Sequence, residues 1–290
     1  MLPQLNPRTS STAAISFLLV FLFLGASCAP TPGTPVQIKT ARGNRVWIYL
    51  PKNASRTETL PCVLVPPAGS RLFHGMKLTG EDRPEHVPYM NAGFAVVSFD
   101  ISGPSSESEN TRKMRNAISA FRDAEWGIRD AFEALALAQK KYPQIDRDRV
   151  YVAGHSSAGT LALQIASSTN RVRACAAFAP VCDIDQHLDS FMAVLDQWVP
   201  GIASGLREAS PNNRVAKFNC PVFLFHAMDD SVVTPPAVIA FKDDLLRKRV
   251  AVKYVAVNSG EHYDSMIEQG IPQAIQWLKE IDAEATKLDK

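Results

Sequence analysis

Residues 149–159 read RVYVAGHSSAG, an apolar, strand-like run followed at once by small residues and serines. Where a buried strand turns sharply into a helix, the residue at the turn adopts a strained backbone conformation and its side chain stands above the edge of the sheet. The two backbones crowd together there, so small residues are needed two positions before and two positions after it. Ser156 meets this requirement with Gly154 and Ala158. The stretch therefore predicts an α/β fold with Ser156 as an exposed nucleophile.

The second serine fits the turn less well. With Ser157 as the nucleophile, His155 would occupy the crowded position two residues earlier and should clash. If Ser156 is the nucleophile, the backbone N–H of Ser157 lies at the helix start and is expected to donate to an oxyanion. The Ser157 side chain is given no role. The alternative interpretation is that Ser156 only caps a helix, where serine is a preferred residue.

Similar apolar runs recur along the chain, separated by segments with helical spacing. Consecutive apolar positions are typical of strands that are covered on both faces of a mostly parallel sheet. We predict a hairpin from residues 36–38 and 46–50, and strands over residues 62–65, 95–99, 150–153, 172–178, 222–225 and 252–257. Residues 114–141 predict a helix that ends before Pro143. The alternation predicts a doubly wound α/β sheet with helices on both sides.

Length and charge limit the classes of function. With 290 residues and a formal charge of +2, the chain fits one α/β domain, over residues 36–285, and carries no block of Lys or Arg. Nothing in this charge pattern indicates a nucleic-acid partner. No CxxC or Cys/His spacing indicates a metal site, and we expect neither a metal nor a cofactor.

The N-terminus indicates export. Arg8 precedes an apolar run over residues 13–24, which has the length of a signal sequence and is short for a membrane span. The following LGASC resembles a bacterial lipobox, although Gly25 stands where a large aliphatic residue is usual. We therefore expect residues 1–28 to be a signal segment or a lipoprotein signal segment. The two alternatives are plain cleavage and lipidation of Cys28. Residues 29–35 (APTPGTP) predict a linker. The expected locations are the periplasm, a lipid-anchored membrane position or the medium.

Four further cysteines are Cys62, Cys175, Cys182 and Cys220. Three of them begin apolar runs, which favours buried free thiols. A local bridge between Cys175 and Cys182 is the alternative.

A serine hydroxyl needs an imidazole to take its proton, and the imidazole needs a carboxylate to orient it. Residues 222–225 lead into the acidic turn HAMDDS, and the last strand leads into NSGEH, which ends at His262. His262 is the histidine that follows the acidic turn in chain order. The residues alone leave four candidates for the acid: Asp229 and Asp230 in the acidic turn, and Asp183 and Asp185 after the sixth strand.

Three segments resemble the catalytic domain of the prolyl oligopeptidase family of serine peptidases, and less closely the dienelactone hydrolases. They are residues 142–162, 210–227 and 260–266, and the resemblance extends over about residues 36–285. It implies the α/β-hydrolase fold with Ser156 as nucleophile and His262 as base. In the family the acid lies three residues after a glycine that is Ala227 here, which implies Asp230.

The second oxyanion donor is expected in the loop after the strand at 62–65, which reads PPAGS over residues 66–70. Proline has no N–H, so the candidates are Ala68, Gly69 and Ser70. The alternative is a plain turn at the end of a strand.

Substrate selection is expected in residues 183–215, where apolar residues at near-helical spacing predict a small helical lid. The same residues could equally be core. We expect an exported serine hydrolase, a carboxylesterase or peptidase, acting on a small ester, an amide or a short peptide. The alternative is a catalytically silent hydrolase fold that binds a ligand, motivated by Ala158 and Ala227 in place of the usual glycines.

Overall fold

The computed structural model describes residues 34–52, 59–106 and 110–288. The strands are Val36–Lys39 (β1), Arg45–Tyr49 (β2), Leu60–Leu64 (β3), Ala95–Phe99 (β4), Ile145–His155 (β5), Val172–Phe178 (β6), Val222–Ala227 (β7) and Val252–Val257 (β8). They form one sheet in the order β1-β2-β4-β3-β5-β6-β7-β8. Strands β3 to β8 pair in parallel, whereas β1 pairs antiparallel with β2, and β2 antiparallel with β4.

The predicted hairpin and all six predicted apolar strands coincide with these elements, except that Leu50 and Val65 each lie one residue beyond the end of their strand. Each residue of β4 and β7 is buried, as expected for strands that are covered on both faces. The prediction at 150–153 was too short, because β5 begins at Ile145 with charged residues that point away from the core. Strand β8 lies at one edge of the sheet, and its residues are only partly buried or exposed.

Helices cover both faces of the sheet. They are Arg83–Asn91 (α1), Thr111–Asp123 (α2), Ile128–Lys141 (α3), Ser156–Ala166 (α4), Ile184–His187 (α5), Asp189–Trp198 (α6), Ile202–Ala209 (α7), Pro235–Arg247 (α8) and Ile271–Leu288 (α9). On one face, Tyr89 of α1 and Leu278 of α9 share an apolar cluster with Val96. On the other face, α3 and α4 pack on the sheet around Val97. The sheet is therefore doubly wound, as predicted.

The helix predicted over residues 114–141 is two helices, α2 and α3. Between them Glu125, Trp126 and Gly127 have φ angles of 53°, 61° and 90°, which break the helix. At Gly127 an added Cβ would lie 3.0 Å from a Leu161 methyl group, so the break also lets the chain approach α4 closely. Apolar spacing continues across the break because both helices face the same core. This is why periodicity alone predicted one helix.

The insertion between β6 and β7 is helical, as predicted, and consists of α5, α6 and α7. Its interior residues Leu195, Ile202 and Leu206 are buried in an apolar cluster with Phe73 and Val233, which follow β3 and β7. Most of the apolar stripe therefore forms the core of this insertion. The insertion is anchored to the loops at the carboxyl end of the sheet.

The predicted signal segment 1–28, with Cys28, and residues 29–33 of the predicted linker lie outside the described residues. The other four cysteines are buried free thiols, so the bridge between Cys175 and Cys182 is not formed. Burial raises the pKa of the Cys62 and Cys220 thiols to about 12. Within residues 34–52, 59–106 and 110–288, no helix has the length and apolarity needed to cross a membrane.

Candidate active site

Ser156 lies at the sharp turn between β5 and α4. Its φ angle is +54°, in the left-handed region that residues other than glycine rarely adopt. A Cβ added to Gly154 would lie 2.4 Å from the carbonyl oxygen of Ala158, which no side chain could tolerate. Ala158 itself is fully buried. The backbone crowding expected from the sequence is present, and it leaves the Ser156 side chain bordering two cavities at the edge of the sheet.

Asp230 and His262 come together at the ends of β7 and β8. Asp230 Oδ2 lies 2.8 Å from His262 Nδ1. The second carboxylate oxygen accepts hydrogen bonds of 2.9 Å from the backbone N–H groups of Val232 and Val233. Because a carboxylate only accepts, Nδ1 carries the proton and Nε2 of His262 is left with a free lone pair.

Asp230 is held ionised. Burial acts to raise its pKa, but hydrogen bonds from His226, from His262 and from two backbone N–H groups outweigh burial and lower the pKa well below its usual range. His226 was not among the functional residues predicted from the sequence. Its Nε2 atom lies 2.7 Å from the carbonyl oxygen of Val233 and 3.2 Å from Asp230 Oδ2. The signal available in the sequence was only its place four residues before Asp230.

The other candidate acids have structural partners. Asp229 accepts hydrogen bonds of 3.1 and 2.9 Å from the backbone N–H groups of Gly260 and Glu261. It therefore holds the turn that carries the histidine. Asp183 caps the short helix α5, and Asp185 forms an ion pair within the insertion. Of the four acids, the structure brings Asp230 to His262.

The loop after β3 is fixed by the Ser157 side chain. The backbone N–H groups of Gly69 and Ser70 each donate a hydrogen bond of 3.0 Å to Ser157 Oγ. The view that this side chain has no role is therefore wrong. The sequence could not show this, because the contact spans 88 residues. The Ala68 N–H faces the Asp82 carboxylate, where its hydrogen bond opposes the rise in pKa that burial causes.

His155, also missed as a functional residue, holds the backbone of His262. Its Nε2 lies 2.6 Å from the His262 carbonyl oxygen, and the two rings are 4.5 Å apart. Burial and the neighbouring His262 lower the pKa of His155 to about 4. The neutral ring must donate from Nε2, because a carbonyl oxygen only accepts. Nδ1 is then an acceptor.

Two cavities meet at the nucleophile. The first, of about 500 Å³, lies under the helical insertion, where Leu188, Phe191 and Val233 line it. The second, of about 330 Å³, is bordered by α1 and the residue after His262. Ser156 and His262 line both cavities. Over the described ranges no group of three or more His, Cys, Asp or Glu side chains is arranged to hold a metal ion.

Comparison with known structures confirms the α/β-hydrolase fold. A puromycin-hydrolyzing peptidase of Mycobacterium tuberculosis is 19% identical with a TM-score of 0.66, over 85% of this chain and 40% of that one. The acylaminoacyl peptidase of Pyrococcus horikoshii is 14% identical with a TM-score of 0.64, over 84% and 40%. A sugar hydrolase of Lactococcus lactis is 16% identical with a TM-score of 0.66, over 88% and 99%.

The chain spans about 40% of the length of those two peptidases, and at these identities the similarity establishes the fold alone. A search of curated proteins finds no match. The sequence profile of the prolyl oligopeptidase family matches residues 83–283, which is more than half of the chain and contains Ser156, Asp230 and His262. The family resemblance expected from the sequence is thereby confirmed: this chain belongs to the prolyl oligopeptidase family.

Proposed function

We propose that this protein cleaves an acyl bond through a catalytic triad of Ser156, His262 and Asp230, with a covalent acyl-enzyme intermediate. One observation carries the proposal. The hydrogen bond between Asp230 and His262 orients the imidazole, and His262 and the strained Ser156 line the same two cavities. Each residue follows a different strand, so their convergence depends on the whole sheet.

In the first half of the reaction, Ser156 Oγ attacks the carbonyl carbon of the substrate, and His262 Nε2 takes the hydroxyl proton. The ionised Asp230 stabilises the imidazolium that results. The tetrahedral intermediate then collapses, the bond to the leaving group breaks, and His262 gives its proton to the leaving oxygen or nitrogen. In the second half, water repeats these steps on the ester of Ser156 and releases the acid.

The negative charge of the tetrahedral oxygen needs hydrogen-bond donors. The Ser157 N–H, in the first turn of α4, is the first proposed donor. Ala68 and Gly69 are the proposed sources of the second. We favour Gly69 because it lines both cavities. Its N–H would be shared between Ser157 Oγ and the oxyanion.

The proposed substrates are short peptides or amides, with small esters as the alternative class. Membership of a peptidase family supports an amide bond, and acyl-enzyme chemistry serves esters as well. The apolar residues of the insertion and Val233 favour an apolar substrate side chain in the larger cavity. We also propose that residues 1–28 direct export, with lipidation of Cys28 as one route to a membrane-anchored position.

A fluorophosphonate probe tests the proposed nucleophile directly, because it modifies a serine only when that serine is activated. We expect the wild-type protein to be labelled, with the adduct found on the peptide that contains Ser156, and Ser156→Ala to remain unlabelled. Ser168→Ala is the matched control, since the Ser168 hydroxyl is bonded to the Ile165 carbonyl at the far end of α4. Labelling that persists in Ser156→Ala would assign the nucleophile elsewhere.

The alternative, a catalytically silent fold that binds a ligand, predicts no labelling of the wild type. It also predicts no turnover of p-nitrophenyl esters or of peptide anilides. Side-by-side assays with both substrate types therefore separate the two functions. Turnover of the anilides alone would establish a peptidase and exclude the esterase.

A further inference from the structure

The smaller cavity contains an acid that the hydrolytic reaction does not use. Glu85, in the first turn of α1, lines this cavity beside Ser156. Its exposed fraction is only 7%. Among the residues that the structure describes, none forms a hydrogen bond to the Glu85 carboxylate. A buried carboxylate without hydrogen bonds is costly, so its retention beside a nucleophile calls for an explanation.

Neighbouring groups do not neutralise Glu85. The nearest base is His155, whose Nδ1 lies 3.9 Å from Glu85 Oε1. Burial lowers the pKa of His155 to about 4, so this ring is uncharged at neutral pH. Asp82, also buried, lines the same cavity and adds a second acid. Burial and the nearby Asp82 raise the pKa of Glu85 to about 8, so below that pH the carboxyl holds a proton that a bound cation would displace.

The two acids differ in their local roles. Asp82 accepts a hydrogen bond of 2.6 Å from the backbone N–H of Thr79 in a capping box, which accounts for its presence. Glu85 has no such partner. An acid in the first turn of a helix interacts favourably with the helix dipole, but an exposed side chain does so as well. The dipole therefore does not explain why Glu85 is buried and faces a cavity.

The acceptors around this cavity suit an ammonium group. Glu85 and Asp82 offer carboxylate oxygens, and His155 offers Nδ1, because its Nε2 hydrogen is used by the His262 carbonyl oxygen. An ammonium group brings its own N–H donors, which these acceptors would satisfy. A metal ion fits less well, since these side chains do not form a metal-binding group within the described residues.

We propose that the cavity bordered by Glu85, Asp82 and His155 binds a positively charged ammonium group of the substrate, next to the bond that Ser156 attacks. The apolar part of the substrate would then occupy the larger cavity on the other side of Ser156. This inference rests on the proposed hydrolase function and adds a substrate class to it. The cationic group can belong to the acyl part or to the leaving group, and the substrates below distinguish these two cases.

Two matched substrate pairs test the proposal. 2-(Dimethylamino)ethyl butyrate, protonated at neutral pH, and 3-methylbutyl butyrate have the same shape and differ by one N–H⁺ group in the leaving group. Alanine p-nitroanilide and isobutyryl p-nitroanilide differ only by an ammonium group in place of a methyl group in the acyl part. We expect wild-type kcat/KM to favour the cationic member of one pair by about tenfold or more, the value of a charge-assisted hydrogen bond. In Glu85→Gln this preference should fall by a similar factor.

Glu268→Gln is the control, because it removes one exposed carboxylate that does not line the cavity. It should keep the wild-type ratio within each pair. The proposal is overturned if the wild type shows no preference for the cationic member of either pair. It is also overturned if Glu85→Gln keeps the full preference. The first criterion uses the wild type alone, so it holds even if Glu85→Gln does not fold.

A binding measurement separates this proposal from the proposed hydrolase function. Calorimetry on Ser156→Ala compares 2-phenylethylammonium with the neutral 2-phenylethanol at pH 7.5. We expect the ammonium to bind more tightly than the alcohol, and the addition of Glu85→Gln to weaken its binding at least about fivefold. This result would support the proposed ammonium site even if no hydrolysis were found. Equal binding of the two probes would contradict it, even if the wild type were an active hydrolase.

Discussion

The Ser157 hydroxyl oxygen accepts a hydrogen bond of 3.0 Å from the backbone N–H of Gly69. This contact joins the first turn of α4 to the loop after β3, and a second bond from Ser70 N–H strengthens it. The residue next to the nucleophile therefore determines the position of the loop in which we expect an oxyanion donor. Two adjacent serines thus have separate roles, one proposed to react and one that holds the loop.

Ser157→Ala should loosen this loop. The change removes the acceptor of two loop N–H groups, from the exposed Gly69 and the half-buried Ser70. Because water can reach these groups, we expect a loss of about 0.5–1.5 kcal/mol of unfolding free energy. We expect kcat to fall by about tenfold or more as the loop donor becomes less well positioned. Urea denaturation and esterase assays measure the two effects. Ser157→Thr keeps a hydroxyl and should recover part of the lost stability and part of the lost kcat. If Ser157→Ala had wild-type stability and kcat, the Ser157 side chain would not hold the loop.

Replacing the two adjacent aspartates should have very different consequences. Asp230→Asn removes the charge that orients and stabilises the His262 imidazolium, so we expect kcat to fall by about 1,000-fold to 10,000-fold. Asp229→Asn weakens the two hydrogen bonds that hold the turn before His262. Its kcat should fall by only about tenfold. Steady-state kinetics on one chromogenic substrate compares the kcat values of the two variants. A larger loss of kcat in Asp229→Asn would identify Asp229 as the acid of the triad.

Gly154→Ala should prevent normal folding at the turn. The new Cβ would lie 2.4 Å from the carbonyl oxygen of Ala158, so the strand and helix must move apart. We expect a loss of about 3 kcal/mol or more in unfolding free energy. Gly80→Ala is the matched control, since no atom lies within 4 Å of a Cβ there. A stable, active Gly154→Ala protein would show that the strand and helix do not need this close approach.

Glu85 should make stability depend on pH. Its pKa in the folded protein is about 8, above the ordinary 4.5. Between these values the folded state keeps a proton that the unfolded chain has lost. The stabilisation is therefore complete below about pH 4.5 and is lost as the pH rises through 8, by at most about 1.4 kcal/mol per pH unit.

Glu85→Gln cannot lose this proton, so its unfolding free energy should fall less than that of the wild type between pH 5 and pH 8. Urea denaturation at these two pH values gives the difference. The titratable groups that face Glu85 are Asp82, Tyr89, His155 and Tyr263. They are present in both proteins and largely cancel in the comparison. Parallel pH dependences of the two proteins would mean that Glu85 titrates normally.

Much of the sheet was predictable because its strands are buried on both faces. Runs such as residues 95–99 are apolar at every position and are bordered by segments of helical spacing, so both their identity and their limits are local properties. The break between α2 and α3 was not predictable from spacing. Trp126 adopts a left-handed conformation there because both helices and the chain near Leu161 must pack together. That requirement comes from distant parts of the chain.

The sequence by itself determined the α/β class, the candidate nucleophile at Ser156 and the order of its expected partners, because strand burial and turn crowding are local. It did not determine that His155 and His226 contact His262 and Asp230, or that the Ser157 side chain holds the loop at Gly69. The burial of Glu85 beside the nucleophile was equally invisible. These relationships join residues on different strands and loops. The tertiary structure decides these contacts, because the packing of strands and helices sets the distances between segments that are far apart in the chain.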